Sequence, residues 1–149
     1  MFDTLNGLPI HPLVVHGVVV LLPLAILGTI AIAARPSWRA KYGPLVVLIA
    51  VIATALIPVA TQSGEQFEKR VGNPGEHAEL GDQLLWFTLP LLVLSIVLVL
   101  LDRLGRKGAL TTVVAALAVV AAVASGVQVF RVGDSGARAV WGDRVSSAP

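Results

Sequence analysis

Two of the three histidines in this chain, His11 and His16, lie at the start of a long apolar segment. An imidazole can bind a metal, hold a haem or exchange a proton near neutral pH. The third histidine, His77, and the carboxylates Glu65 and Asp134 border other apolar segments. Ionisable groups at the edge of a membrane-length segment are costly and usually functional, so these five residues are the first candidates for a site.

Imidazole and carboxylate groups together are typical ligands of zinc, copper or iron. The sequence therefore predicts a transition-metal site drawn from His11, His16, Glu65, His77 and Asp134. A b-type haem instead takes one imidazole above and one below a flat ring, and the predicted pair for it is His16 and His77. A proton relay through the same groups is a third interpretation. The chain has no cysteine, which excludes thiolate metal sites, iron–sulfur clusters and thioether-linked haem.

The first helix predicts different roles for its two histidines. Pro12 suits the first position of a helix, which makes His11 the expected N-cap residue. His16 lies five residues further on, and at 100° per residue the two side chains are about 140° apart around the helix axis. They therefore cannot share one narrow face, and His16, inside the apolar segment, is the stronger ligand candidate.

The composition predicts the membrane elements that position these residues. Of 149 residues, 56% are hydrophobic and only 13% are charged, and the mean hydropathy of +0.84 is far above that of a soluble domain. The apolar runs are continuous and do not alternate, which favours helices over a β-barrel. We predict an all-α, polytopic membrane protein, a four-transmembrane-helix bundle with short loops. Its single domain spans 1–149, with helices over 12–34, 42–71, 74–101 and 108–131 and a glycine-punctuated tail over 132–149.

Four membrane spans place the N-terminus, the middle loop and the C-terminal tail on one face, together with the candidate residues. No Lys or Arg precedes the first helix, whereas Arg35, Arg39 and Lys41 follow it. This asymmetry predicts that both termini lie outside the bacterial cytoplasmic membrane. The basic residues form short clusters and no continuous face, so nucleic acid is not an expected partner. The predicted surroundings are the lipid bilayer and, in one interpretation, the subunits of a membrane complex.

The second helix and the tail bring carboxylates to the histidine face. Thr54, Pro58, Thr61 and Glu65 recur at helical spacing and form a stripe that leads toward this face. In the tail, the glycines on either side of Asp134 predict a turn that directs its carboxylate back to the bundle. Glu65 and Asp134 are therefore the expected carboxylate ligands.

The same residues carry a family resemblance. Ile10-His11-Pro12 with Val15-His16, Ser63-Gly64-Glu65, His77, and the segment from Gly133 to Gly142 resemble motifs of the bacterial four-helix membrane family catalogued as domain of unknown function 2231. The resemblance implies a predicted membrane protein without an established activity, whose histidines suggest haem or metal. Many members have a histidine in the tail where this chain has Asp134, which argues against a site made of histidines alone.

Two classes of function follow. The first is a binding or redox module that holds haem b or a transition metal (zinc, copper or iron) at the outer face. The alternative is a structural or assembly subunit of a larger membrane complex, in which the polar groups only form hydrogen bonds between helices. The sequence has no nucleophile elbow, phosphate loop or dinucleotide fingerprint, so it does not favour a stand-alone enzyme. A pore has the least support, since small residues at helix spacing predict tight packing.

Overall fold

A computed structural model describes residues 4–5, 8–72 and 75–146 of the chain. Within these ranges four helices dominate: α1 (Ile10–Ala34), α2 (Pro36–Val71), α3 (Glu76–Arg103) and α4 (Ala109–Ser146). Two short strands, β1 (Thr4–Leu5) and β2 (Leu8–Pro9), pair antiparallel just before α1. All four helices are long and apolar enough to cross a membrane, so the predicted all-α membrane architecture is confirmed.

The helices extend beyond their predicted bounds. Only Arg35 separates α1 from α2, because Pro36 starts the new helix where its missing N–H costs nothing. At the other end of the chain, α4 passes through Gly133 and Gly136 and continues to Ser146. The turn predicted after residue 131 is therefore absent from the described part of the tail. A helical glycine costs only about 1 kcal/mol relative to alanine, which is too little to end a helix without another signal.

Such an additional signal is present at the end of α2. Gly72 has a φ of 95°, a left-handed conformation that glycine adopts without strain, and its N–H bonds to the carbonyl of Glu68. The cap predicted for the third helix at Asn73 and Pro74 lies outside the described residues. The third helix is described from Glu76, so His77 lies in its first turn as predicted.

The helices form a bundle in which α1 and α3 are diagonal. Each of them packs mainly against α2 and α4, whereas α1 and α3 have few direct contacts. Small residues allow the close approaches: a side chain at Gly28 would meet Val46, and one at Gly43 would meet Val99. Large apolar side chains such as Leu27 and Val120 cover the outer surface, as expected where lipid surrounds a bundle.

The buried faces of α1 and α3 are related by an internal repeat. Thr29 and Ser95 are 66 residues apart, both are fully buried, and their hydroxyls bond to each other at 2.9 Å. Five further pairs of buried residues have the same separation: Val18 and Leu84, Leu22 and Thr88, Ala25 and Leu91, Ile32 and Leu98, Ala33 and Val99. Equivalent residues can touch each other only near the axis that relates them, so this axis passes between Thr29 and Ser95.

The helices α2 and α4 show a matching repeat at a separation of 72 residues. The paired buried positions are Arg39 and Thr111, Val46 and Ala118, Ala50 and Ala122, Ala53 and Ser125, Ser63 and Ser135. The bundle is therefore built from two similar hairpins, α1–α2 and α3–α4, that run in the same direction. Corresponding residues of the two hairpins lie on the same face of the membrane.

Candidate functional site

His11 is held by the neighbouring helix α2. Its Nδ1 lies 2.9 Å from the carbonyl oxygen of Ala60 and 3.3 Å from Oγ of Ser63. The Ser63 hydroxyl donates to the same carbonyl at 3.0 Å. A carbonyl oxygen only accepts hydrogen bonds, so Nδ1 carries the proton and donates it. In the neutral imidazole this leaves the lone pair on Nε2.

His77 makes the same contacts with α4. Its Nδ1 lies 3.0 Å from the carbonyl oxygen of Val132 and 3.4 Å from Oγ of Ser135. Ser135 donates its hydroxyl to that carbonyl at 3.0 Å, as Ser63 does to Ala60 in the other hairpin. Both histidines therefore adopt the same tautomer for the same reason, and each links the two helices of its own hairpin.

A glycine after each serine lets the imidazole approach the helix. A side-chain Cβ at Gly64 would lie 3.1 Å from Cε1 and 3.3 Å from Nδ1 of His11. A Cβ at Gly136 would lie 3.0 Å from both Cε1 and Nδ1 of His77. These distances are shorter than ordinary van der Waals contact, so each Ser-Gly pair forms a notch that holds one ring.

The surroundings of His11 and His77 differ beyond the two Ser-Gly notches. The ring of Phe67 stacks on His11 with a centroid distance of 6.0 Å and an interplanar angle of 22°. The repeat places an exposed alanine, Ala139, at the corresponding position of α4. His77 instead lies beside Ser135, which lines an open groove of about 340 Å³. The charged residues of the groove are two cations and two carboxylates, Arg131, Arg138, Glu76 and Asp134, so it has no net preference for either charge.

The two imidazoles lie at the same end of diagonal helices. In the described part of the chain, Nε2 of neither histidine has a hydrogen-bond partner. The structure thus places His11 and His77 at one end of the bundle as two equivalent imidazoles, each held by Nδ1 and, among the described residues, without a partner at Nε2.

The remaining predicted site residues lie elsewhere. His16 is exposed on α1, and its Nδ1 bonds to the carbonyl oxygen of Pro12 in its own helix at 2.5 Å. Glu65 is exposed on α2. Asp134 is exposed on α4 and forms an ion pair with Arg138 at 2.8 Å. Among the described residues, no three histidine, aspartate or glutamate side chains lie close enough to hold a metal ion.

His11 also differs from its expected role as a helix cap. The helix α1 begins at Ile10, so His11 lies in its first turn and its side chain reaches α2 instead of its own backbone. The angle of about 140° between the two histidines was predicted from helix geometry. Because of this angle, His11 faces the bundle whereas His16 faces away from it.

Sequence reasoning did not identify the residues that hold the two imidazoles. Two of the acceptors are backbone carbonyls, of Ala60 and Val132, which no residue type marks. A signal was nevertheless present: of the three Ser-Gly pairs in the sequence, those at 63–64 and 135–136 each follow a histidine by 52 or 58 residues. Combined with one histidine at the start of the preceding helix in each hairpin, it could have revealed the repeat.

Comparisons with known proteins agree with this architecture. No curated protein and no solved structure matches the chain. A family described as "Predicted membrane protein (DUF2231)" matches residues 7–149, a range that includes both hairpins and both histidine-holding notches. The resemblance seen in the sequence motifs is confirmed, and the chain belongs to the DUF2231 family of predicted membrane proteins.

Proposed function

We propose that this membrane protein binds haem b with His11 and His77 as its two protein ligands and acts in electron transfer. The observation that carries the proposal is the shared state of the two imidazoles. In each, Nδ1 donates to a helix carbonyl and Nε2 has no partner among the described residues. Histidines that bind metals are oriented in this way, because the bond at one ring nitrogen fixes the tautomer and directs the other to the metal.

The number of ligands favours haem over a bare metal ion. A zinc, copper or non-haem iron site usually takes three or four ligands from the protein. The described residues provide no group of three candidate ligands. Haem supplies four equatorial nitrogens itself and needs only axial ligands, which a pair of imidazoles can provide. His11 replaces His16 in the predicted pair, since His16 is exposed and bonded within its own helix.

The internal repeat also supports a two-sided ligand. Haem has two similar faces, and the two hairpins present two similar histidines from diagonal helices. Bound haem supplies one-electron redox chemistry at its iron. His11 and His77 would hold the haem through Nε2, and the Ser-Gly notches would fix the orientation of the two rings.

The location of the site follows from the predicted membrane orientation. Three basic residues directly follow α1 and none precedes it, which favours an outer position for both termini in a bacterial cytoplasmic membrane. The histidines would then face the outside. Since the chain has no cysteine, single cysteines introduced at exposed positions such as Gly105 and Glu76 can be labelled in intact cells. A membrane-impermeant maleimide should label the cysteine at 76 and spare the one at 105. The reverse pattern would place the histidines inside.

A purely structural function is the second candidate, and one observation favours it. His11 already links α1 to α2 and His77 links α3 to α4, which is sufficient to explain a hydrogen bond repeated in both hairpins without any cofactor. In that case Nε2 does not contribute to function. The haem proposal requires both ring nitrogens of each histidine, whereas the structural function requires only the Nδ1 donor.

Substitution by asparagine separates these candidates. An asparagine retains a side-chain N–H donor near the position of Nδ1 but has no counterpart of Nε2. The protein would be purified from cells supplied with a haem precursor, and haem content measured from the Soret absorbance and pyridine haemochrome. We expect about one haem per chain in the wild type, a loss of at least tenfold in His11→Asn or His77→Asn, and no loss in the control His16→Asn.

Two results would contradict the haem proposal. One is a wild-type protein that is folded and haem-free after expression with precursor and after addition of haemin. The other is equal haem content in all three variants. If, in addition, the asparagine variants are as stable as the wild type, the hydrogen-bonding function alone accounts for both histidines.

A further inference from the structure

The end of the bundle opposite the histidines is strongly basic. The α1–α2 and α3–α4 connections both lie there, and their exposed cations are Arg35, Lys41, Arg103, Arg106 and Lys107. Asp102 is the one acidic residue in these two connections and the adjoining helix turns. This excess of positive charge lies where the helices leave the hydrocarbon, at the depth of lipid headgroups.

Four exposed residues at the start of α2 form a basic aromatic patch: Arg35, Trp38, Lys41 and Tyr42. The guanidinium of Arg35 lies over the Trp38 ring at 4.8 Å, and Nζ of Lys41 lies 5.1 Å from the centre of the Tyr42 ring. The two rings pack edge to face at 5.7 Å, one helical turn apart. The patch is thus a row of two rings with a cation at each end.

The aromatic rings position the two cations without neutralising them. Within the ranges that the structure describes, neither Arg35 nor Lys41 has a carboxylate partner. A cation above an aromatic face is attracted to it but keeps N–H groups free for an anion. The patch therefore has unused hydrogen-bond donors and an unbalanced charge.

A buried arginine makes this region rigid. Arg39 is only 6% exposed, and its Nε and Nη2 donate to the carbonyl oxygens of Ile32 and Ala33 at 2.8 and 3.0 Å. These bonds satisfy the last turn of α1 and fix its angle to α2. Because only Arg35 lies between the two helices, its position is set by both of them. A binding surface on such rigid elements loses little entropy when it binds a ligand.

The surface next to the patch is suited to hydrocarbon chains. Along α2, toward the membrane centre, the outward side chains are apolar, and Leu45, Leu48 and Ile52 are between 41% and 54% exposed. Trp and Tyr are enriched at the boundary between headgroups and hydrocarbon, which is the position of Trp38 and Tyr42. A ligand with a phosphate in the patch and acyl chains along these leucines would fit both parts of the surface.

We propose that the basic aromatic patch is a binding site for the headgroup of an anionic phospholipid. The phosphate is bound by Arg35 and Lys41 over the Trp38–Tyr42 pair, and the acyl chains lie along the Leu45–Leu48 surface of α2. This site is on the face opposite the histidines and does not depend on haem binding.

The test uses the full-length protein in nanodiscs of phosphatidylcholine with 10% phosphatidylglycerol. The lipid that remains bound after transfer to detergent is measured by native mass spectrometry. We expect phosphatidylglycerol to be retained in preference to phosphatidylcholine. The double substitution Arg35→Gln with Lys41→Gln should lower this preference about 25-fold. Each cation near the membrane surface contributes a factor of roughly five to the binding of an anionic lipid, and two such factors are lost. The charge-preserving pair Arg35→Lys with Lys41→Arg should retain most of it.

The matched control removes two cations from the histidine face, with Arg131→Gln and Arg138→Gln, and should leave the preference unchanged. All three double variants are compared by far-ultraviolet circular dichroism, so a folding defect is detected separately. An equal loss in the control variant would overturn the proposal, because it would show a general effect of net charge. Displacement of the lipid by an equimolar amount of inorganic phosphate would also overturn it, since the patch would then be a phosphate site.

Discussion

The notch at Gly136 offers the sharpest test of the histidine arrangement. In Gly136→Ala the new Cβ would lie 3.0 Å from Cε1 and Nδ1 of His77, so the ring must move away. Its Nδ1 bond to Val132, at 3.0 Å, would then lengthen. We expect a loss of about 1 kcal/mol from this hydrogen bond and about 1 kcal/mol from the displaced ring, partly offset by about 1 kcal/mol gained from the higher helix propensity of alanine.

Gly133 provides a control on the same helix. A Cβ at Gly133 meets no atom within 4 Å, so Gly133→Ala should show only the propensity gain, about 1 kcal/mol of added stability. Relative to the wild type, Gly136→Ala should therefore be about 1 kcal/mol less stable and Gly133→Ala about 1 kcal/mol more stable. The two variants should differ from each other by about 2 kcal/mol. The free energy of unfolding is measured by reversible denaturation with sodium dodecyl sulfate in mixed micelles.

A double-mutant cycle assigns the difference to the imidazole. In a His77→Ala background the obstructing ring is gone, so Gly136→Ala should stabilise the protein by about as much as Gly133→Ala does. The expected coupling between positions 77 and 136 is about 2 kcal/mol. If Gly136→Ala stabilises the wild-type protein, or has the same effect in both backgrounds, the notch does not hold the ring as described.

Three further predictions concern other polar groups and use the same unfolding measurement. Arg39→Met should destabilise the protein by about 2 kcal/mol, because two buried carbonyls lose a charged donor; an effect below about 0.5 kcal/mol would contradict this. Thr29→Val or Ser95→Ala should each cost about 1 kcal/mol, whereas the double variant should cost less than the sum of both, because no unpaired hydroxyl remains. His16→Ala should change stability by less than about 0.5 kcal/mol, as expected for an exposed side chain bonded within its own helix; a larger loss would show that His16 has a partner in the bundle.

The sequence predicted the four helices because membrane-length apolar runs leave few other options for the backbone. It could not predict which face of α1 turns inward, since that helix is apolar on all sides and its periodicity carries no information about orientation. The divergence of His11 and His16 was predictable from helix geometry, but the choice between them was not. The partners of His11 were beyond residue-type reasoning, because the acceptor is the carbonyl of Ala60 and the space comes from Gly64.

The end of α4 shows a second limit. The glycines around Asp134 were interpreted as a turn, yet the helix continues through them, and Gly136 lies against the His77 ring. Glycine in this helix serves close packing and not chain reversal. The carboxylate of Asp134 lies on the outer surface of α4, where it forms an ion pair with Arg138.

The Thr29–Ser95 bond joins the two hairpins at a point far from the histidines. This bond joins the hairpins inside the hydrocarbon, where breaking it would leave two hydroxyls without partners. His11 lies 18 residues away along α1, or roughly 27 Å at 1.5 Å per residue. Rocking about this pivot by about 5° would move the histidine end by roughly 2 Å. A small rotation of one hairpin about this bond would therefore change the separation of the two imidazoles while leaving the Thr29–Ser95 bond intact.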